Sequence, residues 1–351
     1  MATKAISEFI CPAPLPVRDT IVLGHGSGGK LSAELIHDIF LPSLTNPMLA
    51  RLDDQAIFQI HGHRLAFTTD SFVVKPLFFP GGDIGSLAVH GTVNDLAMGG
   101  ATPLYLSAAF IIEEGFSIEQ LRRVADSMHR SAAAAGVQVV TGDTKVVEKG
   151  KGDGLFITTT GIGLVPEGVN ISADRARPGD KVLLSGSIGD HGIAILAQRE
   201  GLEFESEILS DSAPLNSLVA EMLKVSCEVH CMRDPTRGGI SSTLNEIAQQ
   251  SKVGIELEQN AIPVRDEVSG ACEMLGLDPL YVANEGKLIA IVPPEIADQM
   301  LRAMQQHPLG SAAQIIGTVK QEHSGLVIMR TPLGTTRIVD MLAGDQLPRI
   351  C

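Results

Sequence analysis

The sequence predicts an α+β fold divided into two domains. Its 351 residues are 44% apolar, which is enough chain for two ordinary hydrophobic cores. Apolar periods typical of strands and of helices occur in both halves of the chain, but they do not alternate strictly as strand, helix and strand. This mixed order favours two α+β domains over a single doubly wound sheet.

Changes in composition predict the domain limits. Pro, Gly and polar residues cluster at 166–179 between two apolar strand patterns, which indicates a boundary there. Residues 1–19 are rich in Pro and are expected to form a disordered lead-in. The N-terminal domain then covers residues 20–165 and the C-terminal domain residues 166–330. The last segment, 331–351, has two prolines, two glycines and little periodicity, and it is expected to be a mobile tail.

Structure in the N-terminal domain is expected to begin at residues 20–23, and a strand is predicted at residues 64–70. Leu65 and Phe67 alternate there with Ala66 and Thr68, which is the period of a half-buried strand. The strand ends on an aspartate, so we expect Asp70 to lie at its tip.

Two helices with recognisable ends follow. Asp83 is placed to cap the first, and Ser117 begins a capping-box pattern at the second. Gly136 is expected to end that second helix. The apolar residues 137–141 then predict a strand that delivers Asp143 to the next turn.

The C-terminal domain repeats strand and helix patterns in a different order. The predicted strands are residues 181–184, 253–257, 288–292 and 315–319, and the predicted helices are residues 240–250, 266–275 and 295–306.

The charge balance limits the classes of partner. Lys and Arg number 27 against 41 Asp and Glu, for a formal net charge of −14, so we expect no nucleic acid and no membrane as partner. No secretion signal or membrane-spanning apolar run is recognisable, and the five irregularly spaced cysteines do not resemble a disulfide framework. The expected location is the cytoplasm.

A glycine-rich segment at residues 24–30 reads GHGSGGK. It fits the G-x-x-x-x-G-K pattern of a P-loop, but Leu31 stands where the magnesium-binding Ser or Thr would be. A flexible loop that donates backbone N–H groups to phosphate is the alternative to a true P-loop.

Aspartates accompany Gly, Thr or Asn at several predicted element ends. Mg²⁺ takes a few carboxylates together with nucleotide phosphate oxygens and water, so these side chains would suit Mg-ATP if the fold brought them together. Each is also an ordinary cap or turn residue, although Asp95 would lie inside a helix, where aspartate has poor propensity. The residues are Asp53, Asp54, Asp70, Asn94, Asp95, Asp143 and Asp234.

Residues 234–239 (DPTRGG) open a predicted helix. The N–H groups and dipole at such a position favour an anion, and simple capping is the alternative. Cys227, His230 and Cys231 lack a companion pair of ligands, so a zinc site is not favoured. Cys351 is the terminal residue and follows Pro348. Its thiol is either a carrier on a swinging arm or an ordinary chain end.

Taken together and in this order, these segments resemble the HypE family of hydrogenase maturation factors, within the superfamily of AIR synthase and selenophosphate synthetase. The similarity runs from residue 24 to residue 351. It rests on HGSGG at 25–29, TTDSFVVKPLFFPGGDIG at 68–85, GTVNDLAMGGA at 91–101, TGDTKVV at 141–147, GDHG at 189–192, RDPTRGG at 233–239, ANEGKL at 283–288 and PRIC at 348–351.

The resemblance implies a two-domain AIR synthase-like (PurM-like) fold that forms a homodimer and binds ATP and Mg²⁺. It implies that Cys351, Lys145 and Glu285 act in the reaction. Asp54 is preferred to Asp53 because it precedes Gln55-Ala56. The implied nucleotide and metal contacts are Asp54, Asp70, Asn94, Asp95, Asp143 and Asp234, with Asp54, Asp70, Asp95 and Asp234 as metal ligands.

The implied reaction is the ATP-dependent dehydration of a carbamoyl group on Cys351 to a thiocyanate, which supplies cyanide to the iron of [NiFe]-hydrogenase. The carbamoyltransferase HypF would be the donor, and a HypC-HypD complex the acceptor. The alternatives are an AIR synthase or a selenophosphate synthetase, whose diffusible substrates need no terminal thiol, and a non-catalytic carrier of the carbamoyl or cyanide group.

Overall fold

A computed structural model describes residues 20–202 and 207–344. Within these ranges the chain folds into two mixed β-sheets with their covering helices, the first formed by residues 56–164 and the second by residues 181–339. The predicted α+β class is confirmed. No helix among the described residues is both long and apolar enough to cross a lipid bilayer.

The described chain begins with an arm of short helices that precedes the first strand. A 3₁₀ turn (Leu23–Gly26) leads into α1 (Lys30–Leu35), a π-helical turn (Ile36–Phe40) and α2 (Leu41–Leu44). A second 3₁₀ turn (Leu49–Arg51) ends the arm. Most of its apolar side chains are exposed, including Ile39, Phe40 and Leu44.

The first sheet has five strands and is accompanied by a two-stranded ribbon. Its strands are β1 (Ala56–Ile60), β2 (His63–Phe72), β5 (Thr102–Glu113), β6 (Gln138–Val147) and β7 (Leu155–Leu164), and the ribbon is β3 (Phe78–Phe79) with β4 (Gly82–Asp83). The spatial order is β1-β2-β7-β5-β6. Every pairing in this sheet is antiparallel except that of β5 with β6, which leaves β6 as an edge strand.

Helices α3 (Ile84–Met98) and α4 (Ile118–Ala135) cover one face of this sheet. The predicted helix ends are confirmed. Asp83 accepts hydrogen bonds from the backbone N–H groups of Gly85 and Ser86, Ser117 accepts one from Gln120, and Gly136 ends α4 with a φ of 72°. These caps satisfy N–H groups that have no partner inside the helix.

The predicted alternation in β2 is confirmed. Ala66 and Thr68 are buried while Phe67 is 43% exposed, because α3 packs on the face that carries the small side chains. Two other expectations for this domain are wrong. Strand β2 continues to Phe72, so Asp70 is inside it and not at its tip. Likewise β6 continues to Val147. Asp143 therefore lies in a strand and not in a turn.

The second sheet has seven strands and lies beside five helices. The strands are β8 (Lys181–Leu184), β9 (Cys231–Arg233), β10 (Gly254–Glu258), β11 (Ile289–Val292), β12 (Gln314–Lys320), β13 (Val327–Arg330) and β14 (Thr336–Val339). The helices are α5 (Asp190–Glu200), α6 (Asn216–Val225), α7 (Gly239–Ser251), α8 (Asp266–Leu275) and α9 (Pro294–Gln306). The strand order is β14-β13-β10-β12-β8-β11-β9.

Apolar packing joins the two sheets directly. Leu96 and Met98 of α3 belong to the same buried cluster as Leu183 of β8 and Met222 of α6. Each of these side chains is fully buried. Residues at the seam between the two domains are therefore held by packing on both sides, and a site built there inherits that rigidity.

The predicted mobile tail at 331–351 begins too early. Strand β14 pairs with β13, Val339 is fully buried, and the backbone N–H of Lys30 donates to the carbonyl of Leu342 at 2.8 Å. The segment lacks a long apolar period because its strand has only four residues and a mostly exposed face. The rest of the predicted tail, including Cys351, and the predicted lead-in lie outside the described residues.

The packing of β14 makes a testable prediction. We expect Val339→Ala to lower the free energy of unfolding by about 2 kcal/mol, because it removes two buried methyl groups and leaves a cavity. Leu333→Ala is the matched control in the same segment, since Leu333 is 91% exposed, and it should change stability little. Urea unfolding of both variants checks this. Equal, small effects would contradict a folded β14.

Candidate functional site

Four of the predicted aspartates meet at the seam between the domains. Asp54 precedes β1, Asp70 is on β2 and Asp95 is on α3, whereas Asp234 follows β9 in the C-terminal domain. Asp95 interacts electrostatically with the other three carboxyl groups. The fold thus brings together residues separated by up to 180 positions of the sequence.

Thr68 ties the N-terminal members together. Its hydroxyl oxygen lies 2.8 Å from the carbonyl oxygen of Asp54 and 2.8 Å from Oδ2 of Asp95. Asp70 follows Thr68 by two positions, so the strand period turns both toward α3. At Gly91 of α3 a side chain would collide with Phe72. The absence of one allows β2 to approach the helix.

Arg233 is the cation that faces this cluster from the C-terminal domain. Its Nε lies 2.8 Å from Oδ1 of Asp54, and one terminal nitrogen lies 3.0 Å from Glu246. Asp53 points elsewhere, because its carboxylate accepts hydrogen bonds from the Ser172 hydroxyl and the Ala173 N–H. Of the two neighbouring aspartates, the structure places Asp54 with the other site residues.

Burial and mutual repulsion raise the pKa values of these carboxyl groups. Desolvation is the largest cause for each, and it raises the pKa of Asp54 and Asp95 well above the ordinary range. Burial raises the pKa of Asp234 to about 6, although Arg233 opposes the shift, and it also raises the pKa of Asp70. One carboxylate oxygen of Asp54, Oδ2, is buried without a hydrogen-bond partner.

Glu285 is a further buried carboxyl group, and its pKa is raised by the same causes as the pKa values of the aspartate cluster. It is 2% exposed and lies in the ANEG segment. Desolvation raises its pKa well above the ordinary range, and the charges of Asp234, Asp70 and Asp211 add to the shift, whereas Arg237 opposes it. A carboxyl group with a raised pKa is a stronger proton acceptor once ionised than an exposed one.

The side chain of Asn284 forms hydrogen bonds to backbone groups in three of the motifs quoted above. Its side-chain oxygen accepts a hydrogen bond from the N–H of Gly189, and its amide nitrogen donates to the carbonyls of Pro235 and Val282. The GDHG, RDPTRGG and ANEG segments are thereby held in one arrangement. All three of these hydrogen bonds are buried.

The glycine-rich segment 24–30 packs against Arg237 of the 234–239 segment, but it is not a P-loop. No strand leads into it among the described residues, because residues 20–22 are irregular and a 3₁₀ turn follows. Gly28 has a φ of 73°, and a side chain there would collide with Arg237. Arg237 in turn donates a hydrogen bond to the carbonyl of Gly26 at 3.1 Å.

Within the described ranges, no three His, Cys, Asp or Glu side chains converge closely enough to hold a metal ion by themselves. Mg²⁺ commonly uses one or two carboxylates and completes its shell with phosphate oxygens and water. The crowded carboxylates and the unpartnered Oδ2 of Asp54 fit a cation that arrives with a nucleotide. The four predicted metal ligands stay a prediction.

Asn94 is placed differently from the expectation. It is fully buried on α3, and its amide group donates to the carbonyls of Ala213 and Glu285 and accepts from the N–H of Leu215. Both donor positions are therefore used within the protein. This arrangement does not support direct contact between Asn94 and a nucleotide.

Asp143 and Lys145 lie on the edge strand β6, away from the cluster. They form an exposed ion pair of 2.9 Å, and the hydrogen bond from Lys145 is the largest cause of the lowered pKa of Asp143. Asp143 pairs across the sheet with Ala109, Thr158 and then Ser71. Three strand spacings separate it from β2, which amounts to about 14 Å.

Two residues near the cluster were not singled out from the sequence. Thr68 bridges Asp54 and Asp95, and Arg237 is the cation that opposes the raised pKa values of Asp70 and Glu285. Both belong to motifs quoted above, so the motifs carried the signal. Their contacts depend on the pairing of elements distant in sequence. Among the described residues the candidate zinc ligands form no metal site: His230 pairs with Asp180 at 2.7 Å, Cys231 is buried and Cys227 is exposed.

The two-sheet fold with an acidic seam defines the class of protein. The family model described as AIR synthase related protein, N-terminal domain, matches residues 52–165, and the model for the C-terminal domain of the same family matches residues 177–329. The protein is thus AIR synthase-like in both of its domains.

Individual relatives narrow this class. Carbamoyl dehydratase HypE of Azotobacter vinelandii is 59% identical over 332 residues, which cover 95% of this chain and 97% of the relative. A HypE structure in complex with ATP has a TM-score of 0.80 at 52% identity and covers 95% of this chain and 100% of that one. A HypE-HypF complex gives a TM-score of 0.84 at 49% identity, with coverage of 88% and 99%. The chain belongs to the HypE family of carbamoyl dehydratases.

The repulsion within the cluster predicts how stability depends on pH. Because burial raises the folded-state pKa values of these carboxyl groups, folding is less favourable as pH rises from about 4, where the unfolded groups ionise, through the raised folded values, such as about 6 for Asp234. Asp95→Asn removes one of the repelling charges. Without nucleotide or metal, we expect this variant to be more stable than the parent by about 1–3 kcal/mol at pH 7 and to lose most of that advantage at pH 4.

Chemical denaturation at several pH values measures this difference. Asp126→Asn is the control, since Asp126 is an exposed residue of α4, and its stability should follow the parent at each pH. An Asp95→Asn protein that is no more stable than the parent at pH 7 would contradict the electrostatic account of the cluster.

Proposed function

We propose that this chain uses ATP to dehydrate a carbamoyl group carried by the thiol of its own Cys351. The product is a thiocyanate on the same sulfur, and its cyanide serves the maturation of [NiFe]-hydrogenase. The observation that carries the proposal is the buried Glu285 beside the acidic seam, in a chain so similar to carbamoyl dehydratases.

The chemistry requires an activated oxygen. In S–C(=O)–NH₂ the carbonyl oxygen must leave, and hydroxide is a poor leaving group. Attack of that oxygen on the γ-phosphate of ATP forms a C–O–P linkage and releases ADP, with loss of one nitrogen proton. Cleavage of the C–O bond then releases phosphate as the second nitrogen proton departs and the C≡N bond forms. The sum is the removal of one water at the expense of ATP hydrolysis.

Glu285 is suited to accept a nitrogen proton in these steps. It is buried, so its carboxylate is poorly hydrated, and its raised pKa brings its basicity closer to that of the group that loses the proton. Arg237 faces it with a compensating charge. Both features need the packed seam between the domains.

Mg²⁺ is proposed as the resident metal, held by members of Asp54, Asp70, Asp95 and Asp234. When bound, it would neutralise the carboxylates and the phosphate oxygens of ATP. The chain itself contributes the carboxylates, the Arg233 counter-charge on Asp54, and backbone N–H groups at the start of α7, where an anion is favoured.

A second copy of the chain is proposed to complete the site. Asp143 and Lys145 lie about 14 Å from β2 across the sheet, farther than a lysine side chain extends. They stand on an edge strand, and the uncovered face of the same sheet exposes Phe67, Tyr105 and Ile111. Exposed apolar residues next to an edge strand are typical of a subunit interface. In a homodimer, Lys145 of one copy would assist the reaction at Glu285 of the other.

The proposed partners follow from the same reaction. HypF is the proposed carbamoyl donor, as the complex of a similar HypE with HypF suggests. A HypC-HypD complex is the proposed acceptor of cyanide. An AIR synthase or selenophosphate synthetase activity would act on a free substrate, and a carrier without enzymatic activity would leave ATP intact.

Intact-mass measurement tests the proposed function. After incubation with a carbamoyltransferase and carbamoyl phosphate, the chain should gain one carbamoyl group, and added ATP should then remove the mass of one water. Cys351→Ala should still bind ATP but gain no adduct, because the acceptor sulfur is absent. Cys227→Ala removes an exposed thiol and should behave as the parent. A carbamoyl adduct on Cys351→Ala would contradict the assignment.

Mixed dimers test whether Lys145 acts across subunits. Lys145→Ala and Glu285→Gln should each impair dehydration alone. Equal mixing should restore about a quarter of the parent rate, because half of the dimers are mixed and each mixed dimer has one intact site. The rate of thiocyanate formation after mixing and re-equilibration provides the measurement. Without recovery, in a mixture that sedimentation shows to be dimeric, catalysis in trans is excluded.

A further inference from the structure

A three-residue segment, Ser210-Asp211-Ser212, contacts the backbone of Glu285 at the seam between the domains. One Oδ of Asp211 accepts a hydrogen bond from the backbone N–H of Glu285 at 3.0 Å, and the other oxygen pairs with Nζ of Lys287 at 2.9 Å. The side chain of Asp211 is only 4% exposed. Asp211 therefore contacts the residues on both sides of Gly286.

Gly286 brings the two backbones together. A side chain at this position would overlap the carbonyl oxygen of Asp211. The chain can thus pass directly over the Ser210–Ser212 segment only because residue 286 lacks one. Residues 283–287 therefore complement the Ser210–Ser212 segment in shape through Gly286 and in charge through Lys287.

The segment is itself fixed from both domains. Ser210 pairs with His191 of α5 at 2.8 Å, and Ser212 pairs with His90 of α3 at 2.9 Å. Asn94 of α3 donates to the carbonyls of Ala213 and Glu285. Helix α3 also carries Asp95, so one helix holds both the aspartate cluster and the support of Glu285.

We propose that Asp211 is a positioning residue that fixes Glu285 for proton transfer in the dehydration. Its carboxylate sets the backbone position of Glu285 and, through Lys287, the segment that follows. This inference rests on the proposed function, because it assigns Asp211 a role through Glu285. A misplaced proton acceptor slows a reaction without greatly weakening substrate binding.

Asp211→Ala removes both contacts, whereas Asp211→Asn keeps one oxygen that can accept from the Glu285 N–H. We expect Asp211→Ala to lower kcat for dehydration by about 10–100-fold with little change in KM for ATP. We expect Asp211→Asn to recover most of the loss. In a Glu285→Gln background, Asp211→Ala should cause no further loss, because two residues that act as a unit are not additive.

Asp180→Ala is the matched control. Asp180 is also 4% exposed in its side chain and pairs with a cation-forming residue, His230, at 2.7 Å, but it does not contact the 283–288 segment. This variant should lose comparable stability and keep the parent kcat. All variants are compared at a temperature where circular dichroism shows each to be folded.

Hydrogen exchange separates this inference from the proposed function. Amide exchange at residues 283–288 should quicken in Asp211→Ala and stay unchanged in Asp180→Ala, whether or not the protein dehydrates a carbamoyl group. Faster exchange with an inactive parent protein would overturn the proposed function but leave the support of Glu285 intact. Unchanged exchange and an unchanged kcat in Asp211→Ala would overturn the positioning role.

Discussion

The main constraint on this structure is that several carboxyl groups lie close together in a desolvated seam between the domains. Like charges at such a site repel one another, and the repulsion opposes folding unless packing and counter-charges offset it. Here the seam joins two domains that share an apolar cluster, with Leu96 of α3 and Leu183 of β8 both fully buried. Arg233 offsets part of the charge on Asp54. The fold therefore tolerates an arrangement that suits a cationic ligand better than an empty site.

Helix α3 connects the aspartate cluster with Glu285. Along a single apolar helix, Asn94 holds the backbone of Glu285 while the adjacent Asp95 faces Asp54, Asp70 and Asp234. Successive positions of a helix point about 100° apart, so the two neighbours can serve two parts of the site. Asp83 and Ser86 fix where the helix begins. The same helix thus sets the distance between the aspartate cluster and Glu285.

Local rules in the sequence predicted the ends of α3 and α4 well, because the caps Asp83 and Ser117 act within four residues of themselves, whereas α5 and α6 were not predicted. The predictions failed where a distant element decided the outcome. The alternation in β2 predicted a half-buried strand without showing which face is buried, and α3 decides this by covering the face opposite Phe67. The Asp143 strand continued past its expected turn through pairing with β5. Segment 331–344 is ordered because β14 pairs with β13 and the carbonyl of Leu342 accepts a hydrogen bond from the glycine-rich segment. The aspartate set was indicated by positions at predicted element ends and by the family motifs, and only the fold could show that the amide of Asn94 bonds within the protein.

The proposed dimer would give the uncovered sheet face a part in the chemistry. Within one chain, Glu285 lies in the seam, while Lys145 lies on the exposed edge strand, where it forms an ion pair with Asp143. A cation left in water contributes little to stabilising developing charge, because solvent screens it. In the proposed dimer, the same contact that covers Phe67 and Ile111 would exclude water from Lys145. Assembly and activation would then be one event, and an isolated subunit would keep its proton acceptor yet lack the cation that the departing phosphate requires.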